Sequence, residues 1–324
     1  MPISFDRSFL KNKIEEFQKG KCRESYNELN EYLVNNPKDS LARYNLGLMA
    51  QTMGDIDEAK KQYLRTVNDD KNNWQAHFNL YILYIQDQNY NQALSLIDSV
   101  LLLKKNYQPA LRDKALVLNY LNKPDQAIKY VNQSIEMNKV DYIAVNTLGL
   151  IYLNMKLYDQ AISEFEKAIN INAKYIPSYN NLSTCYAKKF DFKKTEEVLL
   201  KALNIDPGSF ETINNIANVY SQKGKYDEAI KYYQIALNKT NNKSDILYNI
   251  GVAYYYKKDF NKGEEYYKKA FELDPNNDVL KKNYSLLLLA KQKFKEGWSL
   301  YDGRLNLNDF LFKNSTLDNV KNKL

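Results

Sequence analysis

"YNLGLMAQTMGDIDEAKKQYLRTV" occupies residues 44–67, and "YNIGVAYYYKKDFNKGEEYYKKAF" occupies residues 248–271. The two stretches align without a gap at an offset of 204 residues, which is six times 34, and intermediate copies keep the same register. A fixed period of this length is typical of an array of similar units that stack on their neighbours. The period divides the chain into units 6–39, 40–73, 74–107, 108–141, 142–175, 176–209, 210–243 and 244–277, followed by a shorter unit at 278–305.

Two positions of the unit, numbered from its first residue, carry small side chains. Position twenty is small in every unit, and position eight is small in all but one unit from the second onward: Gly47, Tyr81, Ala115, Gly149, Ser183, Ala217, Gly251 and Ser285. Position 24 is large and apolar, which suits helices that approach closely where one partner lacks a side chain. Apolar residues recur every three or four residues, so each unit is predicted to form two helices.

Glycine and proline fall where such helices would begin and end. Gly54 and Gly224 lie between the two helices of their units, and Pro37, Pro207 and Pro275 share position 32 near the end of the second helix. This pattern resembles the tetratricopeptide repeat (TPR), whose 34-residue unit has the same small positions and a frequent proline at position 32.

The resemblance covers residues 6–305 and implies an all-α solenoid, a right-handed superhelix of about nine helix-turn-helix repeats. Residues 306–324 are then expected to form a C-terminal capping segment or tail. Ser315 with Asp318 resembles a helix N-cap arrangement, and a terminal repeat needs a cover for its apolar face. The first and fourth units are irregular, with Lys13 at position eight and Lys114 at position seven, so the fourth is predicted to be a softer joint.

Asparagine recurs on one face of the first helix. At about 100° per residue, position six points away from the packed positions four, seven, eight and eleven. The chain has 40 asparagines in 324 residues, yet position six is asparagine in six of eight units, with Asp113 and Thr147 in the other two. Together with those at positions five and nine, these side chains form what we call the amide row: Asn45, Asn79, Asn146, Asn180, Asn181, Asn214, Asn215, Asn218, Asn249 and Asn283.

The amide row predicts a binding function. Asparagine is a poor residue inside a helix, so another gain must offset its cost. An amide offers a donor and an acceptor, as does each residue of an extended peptide backbone. TPR proteins line a concave groove with this face, and the resemblance implies that the row holds an extended peptide or partner protein there. The alternative, that the amides bond neighbouring helices, stays open at each position. Tyr255 on the same face is a candidate anchor for partner side chains, although 28 tyrosines make it an ordinary occurrence.

The sequence "FKEGWSLYDGR" at residues 294–304 suggests a second function. Gly297, Trp298, Tyr301 and Arg304 resemble the last repeat of bacterial TPR arrays that precede a glycosyltransferase domain. The alternative function is therefore a substrate-recruiting module of a protein O-glycosyltransferase-like system, with the catalytic domain absent from this chain. A plain capping repeat explains the motif more simply.

Charge argues against a third function, RNA binding by helical repeats. The net charge is +7, but residues 281–324 hold nine Lys and Arg against four Asp and Glu, so the rest of the chain is nearly neutral. A nucleic-acid binder usually has a basic stripe through its body. A clamp for the terminal carboxylate of chaperones is also disfavoured, because no full unit follows Lys282 and because Arg112 is accompanied by Leu116 at position nine, where an amide is needed.

The remaining chemistry is sparse. The sequence shows no phosphate-binding loop and no nucleophile motif, so we expect a scaffold that is not an enzyme and needs no cofactor or metal. His77 falls at a packed position, and Cys22 and Cys185 are expected to be small packing residues. The two cysteines form no disulfide framework, and no apolar run approaches the roughly 18 residues of a membrane span. The absence of a signal-like start adds to a predicted cytoplasmic location.

Overall fold

The structure is a computed structural model that describes residues 6–240 and 243–302. These residues form eighteen α-helices in consecutive pairs and no strand, so the predicted all-α fold is confirmed. The chain divides into two compact units, Met1–Ala173 and Lys174–Leu324. The predicted C-terminal cap with Ser315 and Asp318, and Arg304 of the terminal motif, lie outside the described residues.

The first unit contains ten helices: α1 (Arg7–Gln18), α2 (Cys22–Asn35), α3 (Ser40–Thr52), α4 (Ile56–Asp69), α5 (Trp74–Gln86), α6 (Tyr90–Leu103), α7 (Gln108–Tyr120), α8 (Pro124–Met137), α9 (Tyr142–Asn154) and α10 (Tyr158–Ile171). The second contains eight: α11 (Ile176–Lys188), α12 (Phe192–Ile205), α13 (Phe210–Gln222), α14 (Tyr226–Leu237), α15 (Ser244–Tyr256), α16 (Phe260–Leu273), α17 (Asp278–Ala290) and α18 (Phe294–Asp302). From α3 onward, the first helix of each pair begins 34 residues after the previous one.

Helix starts follow from local chemistry. Many helices are preceded by a residue whose side-chain oxygen accepts a hydrogen bond from a first-turn N–H, which satisfies a donor that has no partner inside the helix. These capping residues are Asp6, Asp39, Asp55, Asn73, Asp141, Asp191, Ser209, Asp259 and Asn277. Short polar side chains therefore set the start of helices that propensity alone would leave undefined.

The turn inside each helix pair has one residue in the left-handed region. Nine such residues recur at intervals of 34, with φ between 56° and 100°: Gly20, Gly54, Gln88, Asn122, Lys156, Phe190, Gly224, Lys258 and Gln292. Glycine adopts this conformation at little cost, whereas a bulky side chain does so with strain. The backbone of the turn is thus kept even where the residue type opposes it.

Glycine at position eight lets a ring from the second helix contact backbone. A Cβ built on Gly149 would lie 2.6 Å from Cε1 of Phe165, and Cβ atoms on Gly47 and Gly251 would lie 2.7 Å from the rings of Tyr63 and Tyr267. All three rings are almost fully buried. The small residue and the large one therefore form one contact, and this contact fixes the distance between the paired helices.

The irregular lysines are accommodated by ion pairs. Lys114 Nζ lies 2.7 Å from Asp98 Oδ1 and 3.9 Å from the ring centroid of Tyr130. Lys13 Nζ donates to Glu16 Oε2 at 2.6 Å. A lysine can occupy a packed position when its stem is buried and its ammonium group meets a carboxylate or an aromatic face.

His77 and Cys185 are buried, as predicted for packing residues. His77 Nε2 lies 3.2 Å from the carbonyl oxygen of Lys71, which requires the proton on Nε2, and Nδ1 has no partner among the described residues. Burial raises the pKa of the Cys185 thiol to about 12, so it stays protonated at neutral pH. Cys22 is only half-buried, and its Sγ lies 3.6 Å from the Phe17 carbonyl oxygen.

Replacement of Gly149 tests the ring-to-backbone contact. We expect Gly149→Ala to lower the free energy of unfolding by about 1–3 kcal/mol, because the new methyl group displaces a buried ring. Chemical denaturation measures this value. Adding Phe165→Leu should recover part of the loss, since a smaller partner leaves room for the methyl group. A Gly149→Ala variant with unchanged stability would contradict the packing described.

The single histidine provides a pH test of the fold. Burial lowers the pKa of folded His77 below its ordinary value of 6.5, so the unfolded chain takes up the proton first as the pH falls. The stabilisation linked to neutral His77 is therefore present above about pH 6.5 and is lost as the pH falls towards the folded pKa. Between pH 7.5 and pH 5.5, chemical denaturation should show a larger loss of unfolding free energy for the wild type than for His77→Leu. Equal losses would show that His77 does not titrate as described.

Candidate functional site

Two adjoining cavities lie between α11 and α13 in the second unit. One has a volume of about 520 Å³ and is also lined by Phe190 and by α12; we call it the aromatic cavity. The other has a volume of about 530 Å³ and is also lined by Asp206 and Ser209; we call it the amide cavity. Thr184 and Asn215 line both, so the two cavities meet at these residues.

The amide row converges on these cavities. Five of its members line them, two from α11 and three from α13: Asn180, Asn181, Asn214, Asn215 and Asn218. They occupy positions five, six and nine of units that are 34 residues apart, so the repeat places them along facing helices. The structure thus collects at one place half of the asparagines selected from the sequence.

Two of these amides have their oxygen atoms engaged. Asn218 Oδ1 accepts a hydrogen bond of 2.6 Å from the Tyr233 hydroxyl, and burial raises the pKa of that hydroxyl, which keeps it a donor. Asn180 Oδ1 accepts a hydrogen bond of 3.1 Å from the Thr212 hydroxyl. The remaining groups of both side chains are NH₂ donors, which suit carbonyl oxygens of a ligand.

Asn214 and Asn215 are less satisfied. Asn214 Oδ1 is buried without a hydrogen-bond partner among the described residues. A buried acceptor left unpaired costs about 1–3 kcal/mol, which a rotation of the side chain towards a ligand N–H would recover. Asn215 makes no side-chain hydrogen bond within residues 6–240 and 243–302. These two amides are therefore available to pair with a backbone that supplies both donors and acceptors.

Phe190 is a candidate site residue that the sequence reasoning missed. It occupies the turn after α11 with φ of 59°, and it is the one aromatic residue among the nine left-handed turn positions described. Its ring is 79% exposed and packs edge-on against Phe192, with centroids 6.3 Å apart. The signal was present in the sequence, because a phenylalanine stands where other units have glycine or a long polar residue.

Charge differs between the two cavities. The charged side chain that lines the aromatic cavity is Lys188, whereas those that line the amide cavity are Asp206 and Glu211. None of the three forms an ion pair with the residues that the structure describes. One end of the site is therefore cationic and the other anionic.

Elsewhere, some members of the amide row bond the protein itself. Asn79 Nδ2 donates to the hydroxyl of Tyr44 at 3.2 Å and lies 3.5 Å from that of Tyr63. Asn283 makes the equivalent bond to Tyr248. Asn45 Nδ2 donates to the carbonyl oxygen of Leu41 in its own helix at 2.8 Å. The alternative that the amides bond neighbouring helices therefore describes Asn79 and Asn283, whereas Asn45 bonds its own helix.

The last three predicted site residues lie outside the two cavities. Asn146 is only 4% exposed, which leaves little surface for a ligand. Asn249 makes no side-chain hydrogen bond in the described part of the chain. Tyr255 packs against Tyr256 and Phe260, with ring centroids 5.6 and 5.7 Å away. A ligand role for them stays a prediction.

The breaks in the row have structural reasons. Arg112 Nε donates to Asp113 Oδ1 at 2.9 Å, and Arg112 Nη1 lies 3.4 Å from Asp141 Oδ2. Thr147 donates to the carbonyl oxygen of Ile143 at 2.8 Å. Arg112 is therefore held by two carboxylates, which leaves it poorly placed to clamp a ligand carboxylate.

No group of three His, Cys, Asp or Glu side chains within 6–240 and 243–302 is arranged to hold a metal ion. None of the helices described combines the length and apolar character needed to cross a bilayer.

Comparisons with known sequences identify the repeats. Models of tetratricopeptide repeats match residues 41–67, 198–231, 217–258 and 244–277, and a model of the N-terminal TPR repeats region of Psidin matches residues 83–206. No curated protein sequence matches the chain.

Solved structures agree on the fold. A tetratricopeptide repeat protein from Parabacteroides merdae is similar with a TM-score of 0.69 and 16% identity over 76% of this chain and 97% of that chain. A chain of the APC/C hetero-tetramer Cut9–Hcn1 is similar with a TM-score of 0.59 and 18% identity over 78% of this chain and 50% of that chain. The present chain therefore spans half the length of that one. The pilF protein of Pseudomonas aeruginosa is similar with a TM-score of 0.52 and 16% identity over 63% of this chain and 93% of that chain.

The two classes of amide should differ in stability effects. We expect Asn79→Ala to cost about 1 kcal/mol of unfolding free energy, because the Tyr44 hydroxyl loses its partner. Asn215→Ala should cost nothing and gain up to about 0.7 kcal/mol, since alanine favours the helix. Parallel denaturation of both variants measures the difference. A loss at Asn215 as large as that at Asn79 would mean that Asn215 serves the fold.

Proposed function

Because the chain is a tetratricopeptide repeat protein, we propose that it is a scaffold that binds an extended segment of another polypeptide in the aromatic and amide cavities. The observation that carries the proposal is the set of five asparagines along the facing sides of α11 and α13. Tetratricopeptide repeats act in protein–protein interaction, and one similar chain belongs to the Cut9–Hcn1 hetero-tetramer.

The amides suit a backbone rather than a particular side chain. Asn180 and Asn218 present NH₂ groups to ligand carbonyls, since their oxygen atoms are engaged by Thr212 and Tyr233. Asn215 supplies a donor and an acceptor. The hydrogen bonds from Thr212 and Tyr233 already hold these two asparagine side chains in place. The side chains therefore lose little conformational entropy when a ligand binds.

The length of the site sets the length of the segment. Helix α11 has 13 residues, which corresponds to about 20 Å at 1.5 Å per residue. An extended chain advances about 3.3 Å per residue, so the two cavities together accommodate about six residues.

The other functions stay predictions from the sequence. The glycosyltransferase-associated resemblance depends partly on Arg304, which lies outside the described residues. RNA binding has no added support from the site, since its charged lining is Lys188 at one end and two carboxylates at the other. The absence of catalysis and the cytoplasmic location are likewise expectations only.

A peptide-selection experiment tests the proposed function. A phage-displayed library of random twelve-residue peptides is panned against the full chain, and enriched peptides are re-measured by fluorescence anisotropy. We expect Asn214→Ala/Asn215→Ala to weaken their binding at least about tenfold, which corresponds to the loss of about 1.4 kcal/mol in hydrogen bonding.

Asn45→Ala is the matched control, because Asn45 occupies the same repeat position as Asn215, lines neither cavity and already donates its Nδ2 to the Leu41 carbonyl oxygen. It should bind the peptides as the wild type does. The proposal would be wrong if no peptide were enriched, or if the double variant melted normally and bound with unchanged affinity.

A further inference from the structure

We infer that the site selects and orients its ligand: the segment places an apolar residue and an adjacent acidic residue at the aromatic cavity, and a basic residue at the amide cavity. This inference rests on the proposed function, because it assigns side chains to a segment whose backbone the amides hold. It follows from three features of the second unit: the strained and exposed Phe190, the apolar wall beside it, and the separation of charge.

Phe190 is placed at a cost to the fold. A bulky residue at φ of 59° is strained, and burial recovers nothing here because the ring is 79% exposed. The strain belongs to the turn, because Gln88, Lys156 and Lys258 have the same left-handed backbone. What distinguishes Phe190 from them is a large apolar ring exposed to water, which gains free energy when a ligand covers it.

The aromatic cavity offers the ligand an apolar surface. Besides Phe190, its lining includes Ala187, Phe192, Leu199 and Val219. Leu199 is fully buried and Val219 nearly so, so the apolar surface open to a ligand comes from Phe190, Phe192 and Ala187. A ligand side chain that packs against these three residues is removed from water. An aliphatic or aromatic side chain gains most from such a position.

Charge then defines the neighbours of that side chain. Lys188 is exposed beside the aromatic cavity, and Asp206 and Glu211 line the amide cavity. The three charges lack ion-pair partners in the described part of the chain, so a ligand does not have to displace one. Complementary charges on a ligand would fix which end lies where, because like charges placed together cost free energy.

The spacing makes the pattern specific. Lys188 ends α11, whereas Glu211 lies opposite the beginning of that helix on α13. With about six extended residues along the site, the acidic and basic residues of the ligand stand about four residues apart. The ligand of this site is thus a short segment with an apolar–acidic end, a neutral middle and a basic end.

Synthetic probes test this pattern directly. The matched probes are acetyl-Phe-Glu-Ser-Ala-Ser-Lys-amide and its reverse sequence, since the chain direction is open. The swapped probes exchange Glu and Lys. Fluorescence anisotropy with the full chain should show one matched probe binding at least about tenfold tighter than the swapped probe of the same direction. Equal binding of matched and swapped probes would overturn the inference.

Phe190→Gly separates binding from folding. If Phe190 serves the ligand, this variant melts at the same temperature or about 2 °C higher, because strain is relieved, and binds the matched probe about tenfold more weakly. Gln88→Gly is the matched control, since Gln88 occupies the same turn position with φ of 57°. It should gain stability without any change in binding. A Phe190→Gly variant that binds the matched probe with wild-type affinity would overturn the role of the ring.

Lys188→Glu tests the charge assignment. It should abolish the preference, because both ends of the site are then anionic and each probe meets one attractive and one repulsive end. Lys193→Glu changes the net charge equally at an exposed lysine that lines neither cavity, and it should leave the preference unchanged. The same result for both variants would overturn the inference.

The outcomes also separate the inference from the proposed function. If Asn214→Ala/Asn215→Ala weakens every probe but matched and swapped probes bind alike, the site holds a backbone and the inference alone fails. If neither probe binds and no library peptide is enriched, both fail together.

Discussion

In three repeats the packing of the paired helices depends on the approach of a large side chain to a backbone that has no Cβ in the way. Phe165 lies where a methyl group on Gly149 would be, and Tyr63 and Tyr267 do the same at Gly47 and Gly251. Because these rings are buried between the paired helices, the approach sets the helix separation. That separation in turn decides which residues of the first helix are left on the open side, and the amide row consists of these residues.

Much of the fold was predictable because the packing contacts recur with a strict period. Small residues at positions eight and twenty and the 34-residue spacing predict paired helices without knowledge of any one contact. The irregular lysines were harder to interpret, since a softer joint was predicted from Lys114. Its partners Asp98 and Tyr130 belong to neighbouring helices and stand at no fixed spacing from it. Chance pairings of this kind carry no periodic signal.

The site was predictable only in part for a related reason. Periodicity indicated which helix face the asparagines occupy, but the hydrogen bonds that each amide makes depend on residues at other positions. Tyr44 engages Asn79, Tyr233 orients Asn218, and Asn215 is left unengaged. One residue type at one position can therefore serve the fold in one unit and make no side-chain hydrogen bond in another. Phe190 escaped notice because it lies in a turn, outside the helical positions that the pattern describes.

The left-handed turn residue has a wider consequence. Nine turns keep the same backbone with glycine, glutamine, asparagine, lysine or phenylalanine at that place. The side chain there contributes little to helix packing, so exchanging it alters surface chemistry at a cost that stays local to one turn. A repeat array built in this way presents one exposed, replaceable turn residue every 34 residues along the sequence. Its recognition properties can be rewritten turn by turn while the helices beneath keep their spacing.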